Sequence, residues 1–288
     1  MDDALHAEEL RGQDVLPLWL EGGWSLSVAG RVEEAADMLV AALESADGRH
    51  EAVVGDLLLQ LARTETVRGD FDGAVAHTLE AEPIFAEVDD PRGLASTMRI
   101  RGEAQARAGR LAEASATLRH GLELAQRTGS VEEIGGCLIN LGILEFEQGA
   151  VDDAIACDRQ AIEEFERVGH GSGRTTGYAN LAHKLAQSGR VDEAEEWAAR
   201  ALELAERIGH ALSRADATDT LAAIYVKQGR FAEAGERAEE ASALYLEIGM
   251  GEQGRDALAV AADAWAQAGE EVRARSVSDR ARTLLLPS

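Results

Sequence analysis

A glycine followed five residues later by an alanine recurs seven times along this 288-residue chain. The glycines are Gly30, Gly69, Gly109, Gly149, Gly189, Gly229 and Gly269, spaced by 39 residues once and by 40 thereafter. The alanines are Ala35, Ala74, Ala114, Ala154, Ala194, Ala234 and Ala274. Twelve residues after each glycine stands a second small residue, at Ala42, Ala81, Gly121, Ala161, Ala201, Ala241 and Ala281. A fixed period of this length marks a solenoid, whose units bury their apolar faces only by stacking on one another.

The residue types fit a helix-turn-helix unit. Each glycine closes a helical run, where a left-handed residue ends a helix without a Cβ clash. Acidic residues follow, as in Val32-Glu33-Glu34 and Val191-Asp192-Glu193, and suit the positive end of a second helix. The two small positions lie seven apart and so share one face of that helix. Small side chains there let neighbouring helices approach closely.

Three hairpins carry a fuller pattern: CLINLGILEFEQGAVDDA (Cys137–Ala154), ANLAHKLAQSGRVDEA (Ala179–Ala194) and TDTLAAIYVKQGRFAEA (Thr218–Ala234). Each has a leucine-small pair on the first helix, the turn glycine, and the alanine of the second helix. In these residues the chain resembles the tetratricopeptide repeat (TPR) family, over residues 14 to 287. The resemblance implies an all-α fold, a right-handed superhelical solenoid of seven helix-turn-helix repeats whose first helices line a concave side. The period is 40 residues rather than 34, the linkers often carry a glycine (Gly129, Gly169, Gly209, Gly249), and most repeats lack a closing proline. This longer form is similar to repeats of bacterial signal-responsive regulators, peptide-pheromone receptors and kinesin light chain.

A continuous repeat predicts one elongated domain over residues 14–288, with residues 1–13 as an N-terminal capping helix or tail. Repeat one is the least regular, with Leu16, Leu18, Trp19, Leu20 and Trp24 crowding a helix that also holds Gly22 and Gly23. Asp89-Asp90-Pro91 is a stop between repeats two and three. The last repeat ends in ARTLLLPS, so an apolar end face is expected there: a homodimer contact, a seat for another domain, or a simple end effect. Aromatic residues make up only 4% of the chain, so Ala, Leu, Ile and Val must fill the core. The N-terminus, MDDALHAEEL, lacks the basic-then-apolar order of a signal peptide, and no apolar run approaches the ~20 residues of a membrane span. A soluble, cytoplasmic protein is expected.

Composition also bounds the chemistry. Fifty-three acidic residues against 28 basic ones give a net charge of −25, which disfavours direct binding to nucleic acid. Much of that acidity belongs to a solvated outer face. Cys137 and Cys157 read as two small buried thiols rather than a disulfide or half a metal site. The stretch Gly169-His170-Gly171-Ser172-Gly173-Arg174-Thr175-Thr176 looks like a phosphate loop, but it lacks the lysine and follows a helix; it reads as a linker. The histidines at 6, 50, 77, 120, 170, 183 and 210 show no paired metal spacing, and GxSxG is absent. No metal, no cofactor and no catalytic residue is expected.

What remains is a binding surface. Projecting the repeat onto the first helices selects Arg63, Arg99 and Arg107, with Asp56 and Glu103, in repeats two and three. Repeats four and five give Ile139, Asn140, Ile143, Phe146, Asn180 and His183. Repeats six and seven give Asp216, Asp219, Asp256 and Asp263, with Lys227. The expected groove is basic at one end, amphipathic in the middle and acidic at the other. Asn140 and Asn180 occupy the same register, nine residues before Gly149 and Gly189, where an amide offers donors and an acceptor to a peptide backbone. The lysines of the family's carboxylate clamp are missing, which disfavours a chaperone-tail co-factor. The expected function is a non-catalytic scaffold that holds a peptide or extended protein segment, including one with basic stretches, in its groove. The alternatives are the sensory portion of a bacterial transcriptional regulator or peptide-signal receptor, with DNA contacts made by another domain, and an enzyme or enzyme accessory on a TPR scaffold.

Overall fold

The computed structural model describes residues 16–28, 31–46 and 51–284. The expected cap at residues 1–13 and the first turn glycine, Gly30, lie outside the described residues. Among those described, fourteen α-helices follow one another: α1 (Leu16–Val28), α2 (Val32–Ser45), α3 (Glu51–Arg68), α4 (Phe71–Glu87), α5 (Pro91–Arg107), α6 (Leu111–Thr128), α7 (Val131–Glu147), α8 (Val151–Val168), α9 (Gly171–Gln187), α10 (Val191–Ile208), α11 (Ala211–Lys227), α12 (Phe231–Glu247), α13 (Gly251–Gln267) and α14 (Glu271–Thr283). They form seven consecutive hairpins.

The turns work as the repeat pattern predicts. Gly69, Gly109, Gly149, Gly189, Gly229 and Gly269 all adopt positive φ, between 74° and 89°. At each, the following N–H donates back to the carbonyl five residues earlier, as Arg190 does to Leu185 at 2.9 Å. That bond satisfies a carbonyl the helix end would otherwise leave bare. Gly129, Gly169, Gly209 and Gly249 do the same in the linkers, and Asp89 holds the equivalent place in the second linker at φ 52°. The next residue, Asp90, then caps α5 by accepting from the Arg92 and Gly93 amides at 3.0 Å.

Of the segment that resembles a phosphate loop, only Gly169 and His170 form the linker; Gly171–Thr176, read from sequence as linker too, are the first turns of α9. Gly169 ends α8, and His170 opens α9 by accepting the Gly173 N–H on Nδ1 at 3.0 Å. At the second helices, Arg190 and Arg230 have no side-chain cap bond; their guanidinium groups instead reach Glu193 and Glu233 three residues on.

The small positions are the contact points. Ala35, Ala74, Ala114, Ala154, Ala194 and Ala234 are fully buried, and Ala274 is 9% exposed. Gly142 shows how tight the crossing is: a Cβ there would stand 3.1 Å from the Ala154 carbonyl oxygen.

The chain falls into two compact units, Met1–Asn140 and Leu141–Ser288, divided within α7. In the first, each helix packs on the next from α1 to α6, and α1, α3 and α5 also pack side by side. Leu39, Leu57 and Leu61 form one cluster, and Phe85, Ile100 and Ala104 another. In the second, α8 to α14 pack in succession, with α9, α11 and α13 side by side. Its core is Leu181, Leu185, Leu221 and Ile224, continued by Leu258 and Trp265. Glu239 ties the last helices together, accepting from Trp265 Nε1 at 2.9 Å, Arg273 Nε at 3.0 Å and Arg280 at 2.8 Å. Val272 on α14 and Leu284 just after it remain exposed. Cys137 is buried and Cys157 only half-buried, and both are free thiols. Burial pushes the Cys137 thiol up to about 12.

One pair departs from the apolar register. Asp158 and Lys184 form a fully buried ion pair at 2.6 Å. Asp158 stands where the preceding and following repeats place Leu118 and Ala198, and Lys184 where they place Leu144 and Ile224; repeat two carries the neutral polar Thr78 and Thr64 at these positions. The second Asp158 oxygen, Oδ1, has no partner. Burial, against the pull of Lys184, raises the Asp158 carboxyl from its ordinary 3.8 to about 6. A raised value in the folded state favours the protonated form. That contribution is therefore complete below about pH 4 and is lost as pH climbs through 6.

Two stability outcomes follow from this packing. Ala194→Leu should overpack its helix crossing and cost ~1–3 kcal/mol, read as a lowered urea midpoint; an unchanged midpoint would place the repeat frame elsewhere. Lys184→Leu, which strands a buried carboxylate, should cost ~3–5 kcal/mol at neutral pH, whereas Asp158→Leu with Lys184→Leu should be neutral or stabilising. The double variant should also lose the wild-type decline in stability between about pH 4 and 6. Identical pH profiles for the two proteins would refute the raised carboxyl.

Candidate functional site

The first helices of the repeats carry the candidate residues, and each unit presents its own face. In the first unit, α3 and α5 bring Arg63 and Arg99 to one side. Arg99 is engaged by Glu133, its Nε donating at 2.6 Å with both side chains largely buried. Arg107 is exposed and pairs with Glu103 one turn away at 3.4 Å. Of the three arginines expected to make a basic end, two are thus neutralised locally. Arg63 differs. It donates to Ser96 Oγ at 3.1 Å, but its Nε is buried without a partner. Burial first, then the Arg99 cation, hold Arg63 below the ordinary arginine value. The Asp56 carboxyl is raised by burial and by the neighbouring Asp90. Ile139 is 8% exposed and belongs to the core rather than to the face. Asn140, the last residue of this unit, is half-buried.

In the second unit, α9 and α11 enclose a polar cavity of about 230 Å³ lined by Thr175, Thr176, Asn180, His183, Ser213 and Asp216 among others. The hydroxyls are oriented from within: Thr175 donates to the Ser172 carbonyl at 2.7 Å and stands 3.3 Å from Ser213 Oγ. The Asn180 side chain is half-buried and makes no hydrogen bond among the described residues. His183 meets Phe146 edge-on, ring centroids 6.1 Å apart. Burial, then Lys184 and Lys227, hold the His183 imidazole below its usual value, so it is neutral at pH 7. Ile143 is 40% exposed, available for contact and outside the core.

The acidic residues are less uniform than their register implied. Asp216 accepts a hydrogen bond from Tyr245 Oη at 2.8 Å, and burial raises its carboxyl. Burial also raises Asp219, helped by the negative charges of Asp216 and Asp256. Asp256 itself is met by Arg255 at 3.1 Å, while Asp263 is exposed. Lys227 reaches the Gln187 amide oxygen at 3.3 Å. Of the residues that register selected, Asn180, His183 and Asp216 line this cavity; it did not select Thr175 and Ser213, which line it too, nor Tyr245, which reaches Asp216. Thr175 and Ser213 lie nearer the start of their helices than the positions projected, and Tyr245 comes from a second helix. A run of hydroxyl residues over 172–176 was the available signal. Among the described residues no cluster of His, Cys, Asp and Glu could hold a metal ion, and no helix is long and apolar enough to cross a membrane.

Comparison with known proteins agrees with this architecture. The family described as the MalT-like TPR region matches residues 25–241. The chain belongs to the MalT-like TPR family. Several solved structures share the TPR fold at low identity. A STAND signal-transduction ATPase with a TPR sensor, from Pyrococcus horikoshii, superposes with a TM-score of 0.68 at 17% identity over 94% of this chain. The chain spans only 42% of that protein's length. A Rap protein in complex with Competence and Sporulation Factor gives 0.71 at 16% identity, covering 92% of this chain and 73% of the Rap chain. The TPR-like repeats of a kinesin light chain from Podosopora anserina give 0.54 at 19% identity, covering 69% of this chain and 97% of theirs. A search of curated proteins finds no match.

Proposed function

We propose that this chain is a non-catalytic TPR module, one repeat domain over residues 14–288, that binds a peptide or an extended partner segment on the faces of its first helices. The observation that carries this reading is the Asn180 side chain, half-buried in a polar cavity with its amide unengaged. An amide with free donors and a free acceptor matches a peptide unit whatever side chain it bears. His183, Phe146 and Ile143 supply neighbouring surface for a ligand side chain, and Asn140 offers the same chemistry in the first unit. Asp216, Asp219 and Asp263 favour a basic segment on the second unit. The Rap protein bound to Competence and Sporulation Factor supports a ligand-binding role for this fold. The work of a cytoplasmic protein without cofactor would be to hold, not to transform.

A second reading is favoured by one observation. The chain aligns with less than half of a STAND protein that carries a TPR sensor, so it would also suit the sensory part of a regulator whose other domains act on the target. Both readings place the ligand on the same faces.

Affinity capture from source lysate identifies the ligand, and two variants then test the site. Asn140→Ala with Asn180→Ala should leave the melting temperature nearly unchanged and weaken ligand binding by ~1–3 kcal/mol per lost contact, five-fold to more than a hundred-fold. Lowered stability with spared affinity would assign the two asparagines to packing instead. Replacing Asp216, Asp219 and Asp263 by asparagine should reduce affinity for a basic segment and flatten its salt dependence, because exposed charges are screened beyond ~8–10 Å. An unchanged salt slope would reduce that acidic end to a solvated surface.

A further inference from the structure

The first unit holds a larger cavity, of about 380 Å³, walled by α3, α5 and the start of α7. That is within the range of small-ligand sites. Most charges in its wall are already answered. Glu133 accepts from Arg99 at 2.6 Å, Glu132 accepts from Arg92 at 3.2 Å, and Asp90 is held by two backbone amides at 3.0 Å. Two groups are left over, both on α3. Arg63 has a buried Nε with no partner, and its one hydrogen bond goes to the neutral Ser96. Asp56 is exposed and has no cation within ion-pair distance among the described residues, although the Arg63 charge favours its ionised form. A partly desolvated guanidinium without a carboxylate is an unfilled site for one, since its donors form a fork matched to that group.

The spacing defines the ligand further. Asp56 and Arg63 are seven residues apart on one stripe of α3, with Leu59 and Gln60 between them. At ~1.5 Å per residue they stand ~10 Å apart along the helix. Three extended peptide residues span at most about the same length, at ~3.3–3.6 Å each.

We propose that this cavity binds a zwitterion of tripeptide length, its carboxylate on Arg63 and Ser96, its ammonium on Asp56, and its backbone over Leu59 and Gln60. Burial depresses Arg63 against the pull of Glu133, Glu132 and Glu103, and raises Asp56 against the pull of Arg63. The assignment rests on the reading of the chain as a peptide binder, but it uses a different unit and different residues from the Asn180 cavity.

The test uses the whole protein and three probes: trialanine, trialanine with its C-terminus amidated, and N-acetyl-trialanine. The readout is the Arg63 Nε–H resonance in a nitrogen–proton correlation spectrum, with sodium chloride at matched ionic strength as control. Trialanine should shift that resonance saturably. The amide should bind at least ~10-fold more weakly, as loss of a charge-assisted contact implies. N-acetylation should weaken binding by several-fold, ~5-fold or more, and Asp56→Asn should abolish that difference. Arg63→Gln, which retains a donor for Ser96, should bind trialanine and its amide equally weakly, with N-acetyl-trialanine weaker still, while its circular dichroism stays that of wild type; this arm is read by shifts at the Gln60 side-chain amide. No saturable shift, or equal affinity for trialanine and its amide, would overturn the proposal. Such a failure would leave the Asn180 variants free to succeed, so the two readings fail separately.

Discussion

Everything in this structure depends on the distance at which two helices cross beside a left-handed turn. The turn glycine lets the chain reverse within one residue, and the alanine five residues on removes the side chain that would hold the helices apart. Six of the seven alanines are completely buried, so no slack remains at these points. Close-packed interiors do not absorb added methylenes without strain. Helices of 13 to 18 residues gain most of their stability from such packing rather than from propensity, and a helix that cannot close on its neighbour loses the burial that sustains it.

The same constraint decides which surface is available for binding. Small positions point into the crossings, which leaves the other side of each first helix free to vary. In the second unit α9, α11 and α13 lie side by side, and Asn180 and His183 on α9 share one cavity with Asp216 on α11. Where a core register does carry charge, it is answered at once. Asp158 and Lys184 break the apolar pattern of the preceding and following repeats in two places, and the two breaks meet at 2.6 Å. A lone buried charge in such a crossing would cost several kcal/mol. This is the physical reason that the departures come as a pair.

The repeat made the fold legible before any coordinates, because turn glycine, acidic first turn and buried alanine are separate signals that agree at a fixed period. That Gly169–Thr176 is not a phosphate loop was legible for the same reason, since the register put a helix before it where such a loop needs a strand; that the linker is only Gly169–His170 and the rest begins α9 was not. The candidate site was legible only in outline. Register tells which residues share a face; it says nothing about which of them are already engaged by neighbours off that face. Arg99 looked like part of a basic end until Glu133, one repeat later, was found against it. Asp216 looked like a free carboxylate, but Tyr245 reaches it from a second helix. Ile139 projected onto the face yet packs into the core, since one helical position more or less separates the two environments.

Charge bookkeeping makes the same point for recognition. A net charge of −25 argues against a polyanionic partner but does not define a ligand, because most charges here are paired or solvated. Recognition energy comes from the few groups that folding leaves both desolvated and unanswered, since those gain a partner without first losing one. On the first unit the buried Arg63 Nε meets that description, while Asp56, two turns away, is exposed. The second unit offers half-buried groups, the Asn180 amide and the Asp219 carboxylate, the latter raised by burial and by like charge. On the proposed reading, one face would favour a ligand that carries both signs and the other a polar backbone with positive charge nearby. The seven repeats differ at these side chains, while the alanines that set their frame stay the same throughout.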